Sequence, residues 1–167
     1  MKSKKFQSEI KFLLQIIDES FEKKAWHGPN LRGSIRGLTA KQAAWRPNPR
    51  QHNIWEIVVH AAYWKYVVRR RILGEKRGSF PLKGSNWFKR PNMISENSWK
   101  KDVGLLVETH HSMRAAIAGL SPKDLHARPP GAPSNAPSNA ALIAGIAFHD
   151  VYHAGQIQLL KRLARHR

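Results

Sequence analysis

Two histidines near the end of the chain have the spacing that lets a helix present both to one metal ion. His149 and His153 lie four residues apart in the segment HDVYHAGQ, which covers residues 149–156. Side chains four apart on a helix project from the same side, one turn above the other. Their imidazole nitrogens can therefore chelate a single divalent cation, as in other helical sites built from two histidines.

A third ligand has to come from another helix, and His60 is the best candidate. It lies within the apolar segment IVVHAAYW, residues 57–64, so we expect its ring to face the interior. Three nitrogen ligands with positions left for water form an open, catalytic type of site, suited to zinc, nickel or iron. The spacing alone leaves another interpretation open. A single interior histidine is commonly a hydrogen-bonded core residue, and a chain with nine histidines can produce such a pair by chance.

Two further residues are candidates for a catalytic role beside these ligands. Gln156 follows His153 on the same helix face and can hydrogen-bond substrate or metal-bound water. His27 stands in a Trp-His-Gly-Pro segment that ends the first helix. It can orient substrate or act as an acid or base, and the alternative is a histidine that caps the helix end.

Carboxylates are expected to support the ligands rather than bind the metal. Glu56 lies one turn before His60 on the same face and can hydrogen-bond its ring. Asp150 follows His149 directly, so it points about 100° away around the helix. We therefore expect both carboxylates in the shell behind the ligands.

Other catalytic chemistries are excluded by what the chain lacks. It contains no cysteine, which excludes a disulfide scaffold, thiolate ligands and a cysteine nucleophile. No Gly-rich phosphate loop, serine nucleophile elbow or paired-carboxylate signature is present. His110 and His111 are adjacent and point to different sides of one helix, while His52 and His126 are expected in solvent at helix ends or in loops.

Apolar residues recur in steps of three and four along four segments, which predicts four long amphipathic helices. Their expected ranges are about residues 4–24, 53–73, 95–120 and 140–163, with a short helix after an N-cap at Thr39. Clusters rich in Pro, Gly, Ser and Asn separate them. Since no strand alternation appears, the sequence predicts an all-α four-helix bundle with long irregular connections, in a single domain over residues 1–167.

The net charge of +18 predicts a surface that attracts nucleic acid, acidic lipid headgroups or anionic small molecules. The connection over residues 74–97 is basic and carries Phe80, Trp87 and Phe88. It motivates an alternative hypothesis, a non-enzymatic, stress-related protein that binds nucleic acid. Because recognisable nucleic-acid modules are missing, a solvated basic surface without a dedicated partner is equally open.

These segments together resemble the DinB/YfiT-like family of four-helix-bundle metalloproteins, often described as metal-dependent hydrolases or thiol transferases. The resemblance rests on AWHGP at residues 25–29, on IWEIVVH at residues 54–60 with Trp64, and on HDVYHAGQ at residues 149–156. It covers nearly the whole chain.

The resemblance implies one divalent metal ion bound by His60, His149 and His153, with Trp64 behind the ligands. Characterised relatives add low-molecular-weight thiols to electrophiles, so it implies a thiol S-transferase or a hydrolase. It also implies a homodimer, because paired bundles are usual in that family. The absence of cysteine agrees with a sulfur atom that arrives on the cosubstrate.

No export signal is visible, and the longest apolar run, residues 140–148, is far shorter than the roughly 20 residues that cross a bilayer. We therefore expect a soluble, cytoplasmic protein with no membrane association.

Overall fold

Four long helices and three short ones make up the computed structural model, which describes residues 2–76 and 78–165. The long helices are α1 (Lys2–Phe21), α4 (Ile54–Leu73), α5 (Glu96–Ala118) and α7 (Asn139–Arg165). The short helices are α2 (Leu31–Ser34), α3 (Ala40–Ala44) and α6 (Pro122–His126). No strand occurs in these two ranges, so the all-α prediction is confirmed.

The four long helices pack in a ring in which α1 contacts α5 and α7, and α4 contacts the same two helices. Each long helix can thus bury its apolar stripe against two neighbours, as in a four-helix bundle. The two helices that carry the candidate ligands, α4 and α7, are direct neighbours. Within the described ranges, no helix is both long enough and apolar enough to span a membrane.

The ends of α4 lie where the sequence predicts them because its caps are local. The side chain of Asn53 accepts a hydrogen bond from the backbone N–H of Glu56, and Glu56 accepts one from the N–H of Asn53. This capping box satisfies two N–H groups at the helix start. At the other end, Gly74 adopts a φ of 67°, a left-handed conformation that glycine tolerates. Thr39 starts α3 through a similar box with Gln42, as predicted for an N-cap.

The first helix ends earlier than predicted, and the two short helices α2 and α6 were not predicted. α1 ends at Phe21 because the next two backbone N–H groups both bond to the carbonyl of Asp18, which closes the last turn. α2 and α6 begin at the N-caps Asn30 and Ser121. Helices of one turn carry too few apolar repeats to be recognised from periodicity.

One ion pair is buried inside the ring, between α4 and α7. Lys65 is 0% and Asp150 is 1% exposed, and the ammonium group of Lys65 donates to Oδ2 of Asp150. Burial lowers the pKa of Lys65 and raises the pKa of Asp150, while the attraction between the two groups opposes both shifts. Each group therefore offsets part of the other's desolvation.

Removal of one partner of this pair is expected to destabilise the fold strongly. Lys65→Met leaves the Asp150 carboxyl buried without its cation, and such a change costs about 3–5 kcal/mol. The double variant Lys65→Met with Asp150→Leu removes both charges and should recover most of that loss. Urea unfolding of the three proteins measures the free energies. A double variant as unstable as Lys65→Met would contradict this account.

Candidate metal centre

The packing of α4 against α7 brings the Nε2 atoms of three histidines together. Nε2 of His149 lies 3.0 Å from Nε2 of His60 and 3.0 Å from Nε2 of His153. Candidate ligand atoms of the three residues lie within 4.8 Å of one another. His60 and His153 are buried and His149 is partly buried. These three residues could therefore hold one metal ion, as the sequence pattern indicates.

Hydrogen bonds on the far side of two rings determine which nitrogen carries the proton. Nδ1 of His60 lies 2.9 Å from the backbone carbonyl oxygen of Asn86, which can only accept, so this nitrogen is the donor. Nδ1 of His153 donates in the same way to Oε1 of Gln156 at 2.7 Å. In the neutral rings, Nε2 of both residues then carries a lone pair directed at the cluster.

This arrangement of lone pairs fits a cation. A proton on Nε2 of His149 can be donated to only one of its two neighbours, so the lone pair of the other neighbour faces a nitrogen at 3.0 Å without receiving a hydrogen bond. Nδ1 of His149 is buried and has no hydrogen-bond partner among the described residues. A divalent metal ion accepts all three Nε2 lone pairs at once, and neutral imidazoles are common ligands for zinc, nickel and iron.

The surroundings keep the three rings neutral. Burial lowers the pKa of His60, against the opposing effect of its hydrogen bond to Asn86. Burial, together with repulsion from the other two rings, lowers the pKa of His149 to about 3. Burial also lowers the pKa of His153 to about 4, although the hydrogen bond to Gln156 opposes it. Metal ions bind the neutral form of histidine, so these shifts reduce competition from protons.

Asn86, in the connection between α4 and α5, holds both His60 and Trp64 in place. Its backbone carbonyl accepts from His60, and its side-chain oxygen accepts from the indole N–H of Trp64 at 2.9 Å. The indole ring of Trp64 in turn makes edge contacts with His60 and His149, at centroid distances of 6.4 and 6.5 Å. Trp64 therefore lies beside two of the three histidines. Asn86 has a φ of 62°, a left-handed conformation that asparagine tolerates better than most residues.

Trp87 and His52 form another wall of the site, and neither residue was a candidate from the sequence. Trp87 stacks on His60 with 3.8 Å between centroids, and its other face stacks on His52 at 3.7 Å. The neighbouring Phe88 is 6% exposed and packs in the core. The aromatic residues of this basic connection are thus used in packing rather than presented to solvent for base stacking.

Glu56 acts on the site indirectly. Its Oε1 accepts from Arg46 at 2.9 Å, and its Oε2 accepts from Nδ1 of His52 at 3.0 Å. Burial raises its pKa, but the hydrogen bonds from Arg46, His52 and the backbone of Arg90 outweigh burial and lower it. The expected hydrogen bond between Glu56 and the ring of His60 does not form, because that ring bonds to Asn86 instead.

Of the other two predicted neighbours, Gln156 contacts a histidine ring and Asp150 contacts the buried Lys65. Gln156 orients His153 through its Oε1, and its amide N–H donates to the hydroxyl of Tyr152 at 3.0 Å. Asp150 pairs with the buried Lys65 and so supports the turn that carries the first ligand of α7. Gln156 is therefore committed to a ligand ring, where the sequence suggested contact with water or substrate.

His27 is not brought into contact with the three ligands. It is exposed, and its ring makes an edge contact with Trp26, which is 94% exposed. The proposed role of His27 as an acid, a base or a substrate contact therefore has no support in this structure. His110 is also separate, since it is fully buried and stacks on Phe21 at 3.7 Å.

Two cavities flank the histidines along α7. One, of about 180 Å³, lies between α4 and α7 and includes Trp64 and His149 in its lining. The other, of about 350 Å³, lies farther along α7 and is lined in part by His52, Trp87 and Gln156. Small-molecule sites commonly combine apolar walls with a few placed polar groups. The histidines thus have space for organic molecules on both sides.

Comparison with known proteins gives one match. The family model of the DinB superfamily matches residues 25–157, which is well over half of the 167 residues. The matched region contains all three histidines and the connection that holds Asn86 and Trp87. No curated protein and no solved structure matched the chain.

The metal-free protein is expected to lose stability as the pH falls from about 6.5 toward 4. Histidines in an unfolded chain have a pKa of about 6.5, whereas the folded protein holds the pKa of His149 at about 3 and that of His153 at about 4. In this window the unfolded chain binds more protons, so the free energy of unfolding rises with pH. The slope is at most about 1.4 kcal/mol per pH unit for each histidine.

Urea unfolding at a series of pH values measures this slope. His149→Asn should reduce it, whereas His126→Asn should leave it unchanged, because His126 is mostly exposed beside Glu9. If wild type and both variants had the same slope, the buried neutral state of His149 would be disproved.

Proposed function

The chain belongs to the DinB superfamily, and from this premise we propose that it is a divalent-metal-dependent enzyme. The proposed reaction is the transfer of a low-molecular-weight thiol to an organic electrophile. His60, His149 and His153 would hold the metal ion. The homodimer and the cytoplasmic location remain predictions from the sequence, and this proposal does not depend on them.

The observation that carries the proposal is the approach of three Nε2 atoms with two tautomers already determined. The carbonyl of Asn86 and the amide oxygen of Gln156 hold protons on the far nitrogens of His60 and His153. A histidine cluster that served only packing would gain from a proton between each pair of nitrogens, since a buried acceptor without a donor is costly. Here the outer hydrogen bonds leave the cluster short of protons, as partners behind metal ligands do.

A divalent cation held by three nitrogen ligands would supply Lewis-acid chemistry that lowers the pKa of a bound thiol. The protein residues provide the remaining parts of the reaction. The low exposure of His60 and His153 limits water beside the reacting sulfur. Gln156 and Asn86 keep two ligand rings in one orientation.

The proposed transfer needs no reactant other than the thiol and the electrophile. The thiol releases its proton to solvent, and its sulfur forms a bond to the electrophilic carbon. The bond between that carbon and its leaving group breaks, and the leaving group departs with the electron pair. Where the electrophile is an activated alkene or an epoxide, no group leaves and the product takes up one proton.

The two cavities favour a transferase over a hydrolase, because transfer needs room for two organic reactants. They lie on either side of the histidines. The first is lined by the candidate ligand His149, and the second by Gln156, which contacts the candidate ligand His153. A hydrolase with the same ligands would need one organic site and a water molecule. The nucleic-acid hypothesis retains only the net charge as support, since Trp87 and Phe88 pack inward.

Metal content tests the proposed site directly. Protein purified without a histidine tag and incubated separately with zinc, nickel or ferrous iron should retain about one ion per chain after dialysis, consistent with an open three-nitrogen site. His149→Ala should retain almost none, since two ligands remain. His126→Ala is the matched control and should bind like wild type. Equal and negligible metal in wild type and His149→Ala would remove the proposal.

Activity is tested with metal-loaded protein, several low-molecular-weight thiols, and an alkyl halide or an epoxide, with mass spectrometry to detect the thioether. Wild type should form product faster than the protein-free mixture, and His153→Ala should return the rate to that background. His126→Ala should keep the activity. Hydrolysis of an ester by wild type, without thioether formation, would overturn the transferase reaction and leave the metal site intact.

A further inference from the structure

A narrow groove leads away from the three histidines between α4 and α7. Trp64, Val68 and Arg71 line it from α4, and these residues lie on one helix face because they are four and three positions apart. His149 closes one end from α7, and Ile146 forms part of the floor. The volume of about 180 Å³ is slightly larger than the cavity of about 150 Å³ that holds a benzene molecule in a protein core.

Arg71 places a cation at the far end of this groove. Its guanidinium carbon lies 5.9 Å from the centroid of the Trp64 ring. The neighbouring Arg69 and Arg70 form ion pairs with Glu75, whereas Arg71 has no carboxylate partner within the described part of the chain. A cation near a helix C-terminus interacts favourably with the helix dipole, but that applies to all three arginines and does not explain why only Arg71 extends along Trp64.

The groove is open because α7 has a glycine beside it. Gly145 lines the groove, and a Cβ atom added there would have no heavy atom within 4 Å. A side chain at this position would therefore meet no other part of the protein, and a long one can extend over the groove that Gly145 lines. Glycine in a helix interior is less favourable than alanine, so the open groove has a cost in helix stability.

The distance between the two ends sets the length of a ligand. The centroid of the Trp64 ring lies 6.5 Å from that of His149 and 5.9 Å from the guanidinium carbon of Arg71. The sum of these two distances is the greatest span that the ligand has to cover. Arg71 also borders a larger cleft of about 510 Å³ beside the end of α4, so the far end of the groove is open to solvent.

We propose that this groove binds one of the two reactants, an apolar molecule with a carboxylate at the end opposite the atom that reacts at the histidines. This inference rests on the proposed metal-dependent function for the reacting end. The apolar body would contact Trp64, Val68 and Ile146, and the carboxylate would accept hydrogen bonds from the guanidinium of Arg71. Arginine suits this role because its planar donors match both carboxylate oxygens.

Two probes of the same shape separate the carboxylate from the apolar body. Phenylbutanoate carries the carboxylate, and phenylbutanamide replaces it with a neutral amide. Calorimetric titration of each probe is carried out with metal-free protein and with zinc-reconstituted protein. Phenylbutanoate should bind wild type about fivefold more tightly than the amide, as expected for one exposed ion pair, and the difference should shrink at high salt.

Arg71→Gln should remove this preference by weakening phenylbutanoate about fivefold, with little effect on the amide. Arg162→Gln is the matched control, since Arg162 is also exposed near a helix end but lines neither cavity beside the histidines. Gly145→Leu should abolish binding of both probes. Gly104→Leu is its control, because Gly104 is an exposed glycine of α5 with equally open space.

The outcomes separate this inference from the proposed function. Probe binding that depends on Arg71 and Gly145 in the metal-free protein supports the groove even if no metal is retained. Metal retention without probe binding, or with equal affinities for the two probes, overturns the groove and leaves the metal site. Equal effects of Arg71→Gln and Arg162→Gln also overturn it. Circular dichroism of each variant checks its folding. If Gly145→Leu misfolds, Arg71→Gln still tests the groove, because Arg71 is exposed and its replacement should leave the fold intact.

Discussion

The contact between α4 and α7 is the constraint on which the site depends, and a buried charge pair stabilises it. Lys65 follows His60 on α4 by little more than one turn, and Asp150 is the residue after His149 on α7. A buried ammonium and a buried carboxylate tolerate very little separation, because each would lose the partner that compensates its desolvation. The pair therefore restricts sliding and rotation of one helix against the other at the level of the ligands.

With the helices in this register, the connection between α4 and α5 completes the site. Asn86 accepts hydrogen bonds from His60 through its carbonyl and from Trp64 through its side chain. Trp87 covers the other side of His60 and stacks on His52, whose position is set by Glu56. This long connection is thus anchored by contacts of Asn86 and Trp87 to His60 itself.

The position of individual cations matters more at this site than the net charge of the chain. A chain with a net charge of +18 attracts anions generally, but most of that attraction is screened beyond about 10 Å at ordinary ionic strength. Arg69 and Arg70 are paired with Glu75, while Arg71 stands beside the groove that leads to His149. In the proposed groove, one unpaired cation beside a cavity would give selectivity that total charge cannot give. An anionic small molecule is therefore the partner to be tested before a nucleic acid.

The sequence predicts the four long helices, the start of α4 at about residue 53, the cap at Thr39, and the shared face of His149 and His153. These features depend on periodicity and on contacts within a few residues, which a linear pattern contains. The meeting of His60 with the other two histidines was only one of two open interpretations until the family resemblance favoured it. Tertiary contacts set the remaining features: which oxygens hold the rings of His60 and His153, where Glu56 directs its carboxylate, and that His27 stays outside the site. Those outcomes depend on segments far apart in the chain, whose approach follows from packing and burial and leaves no local signature.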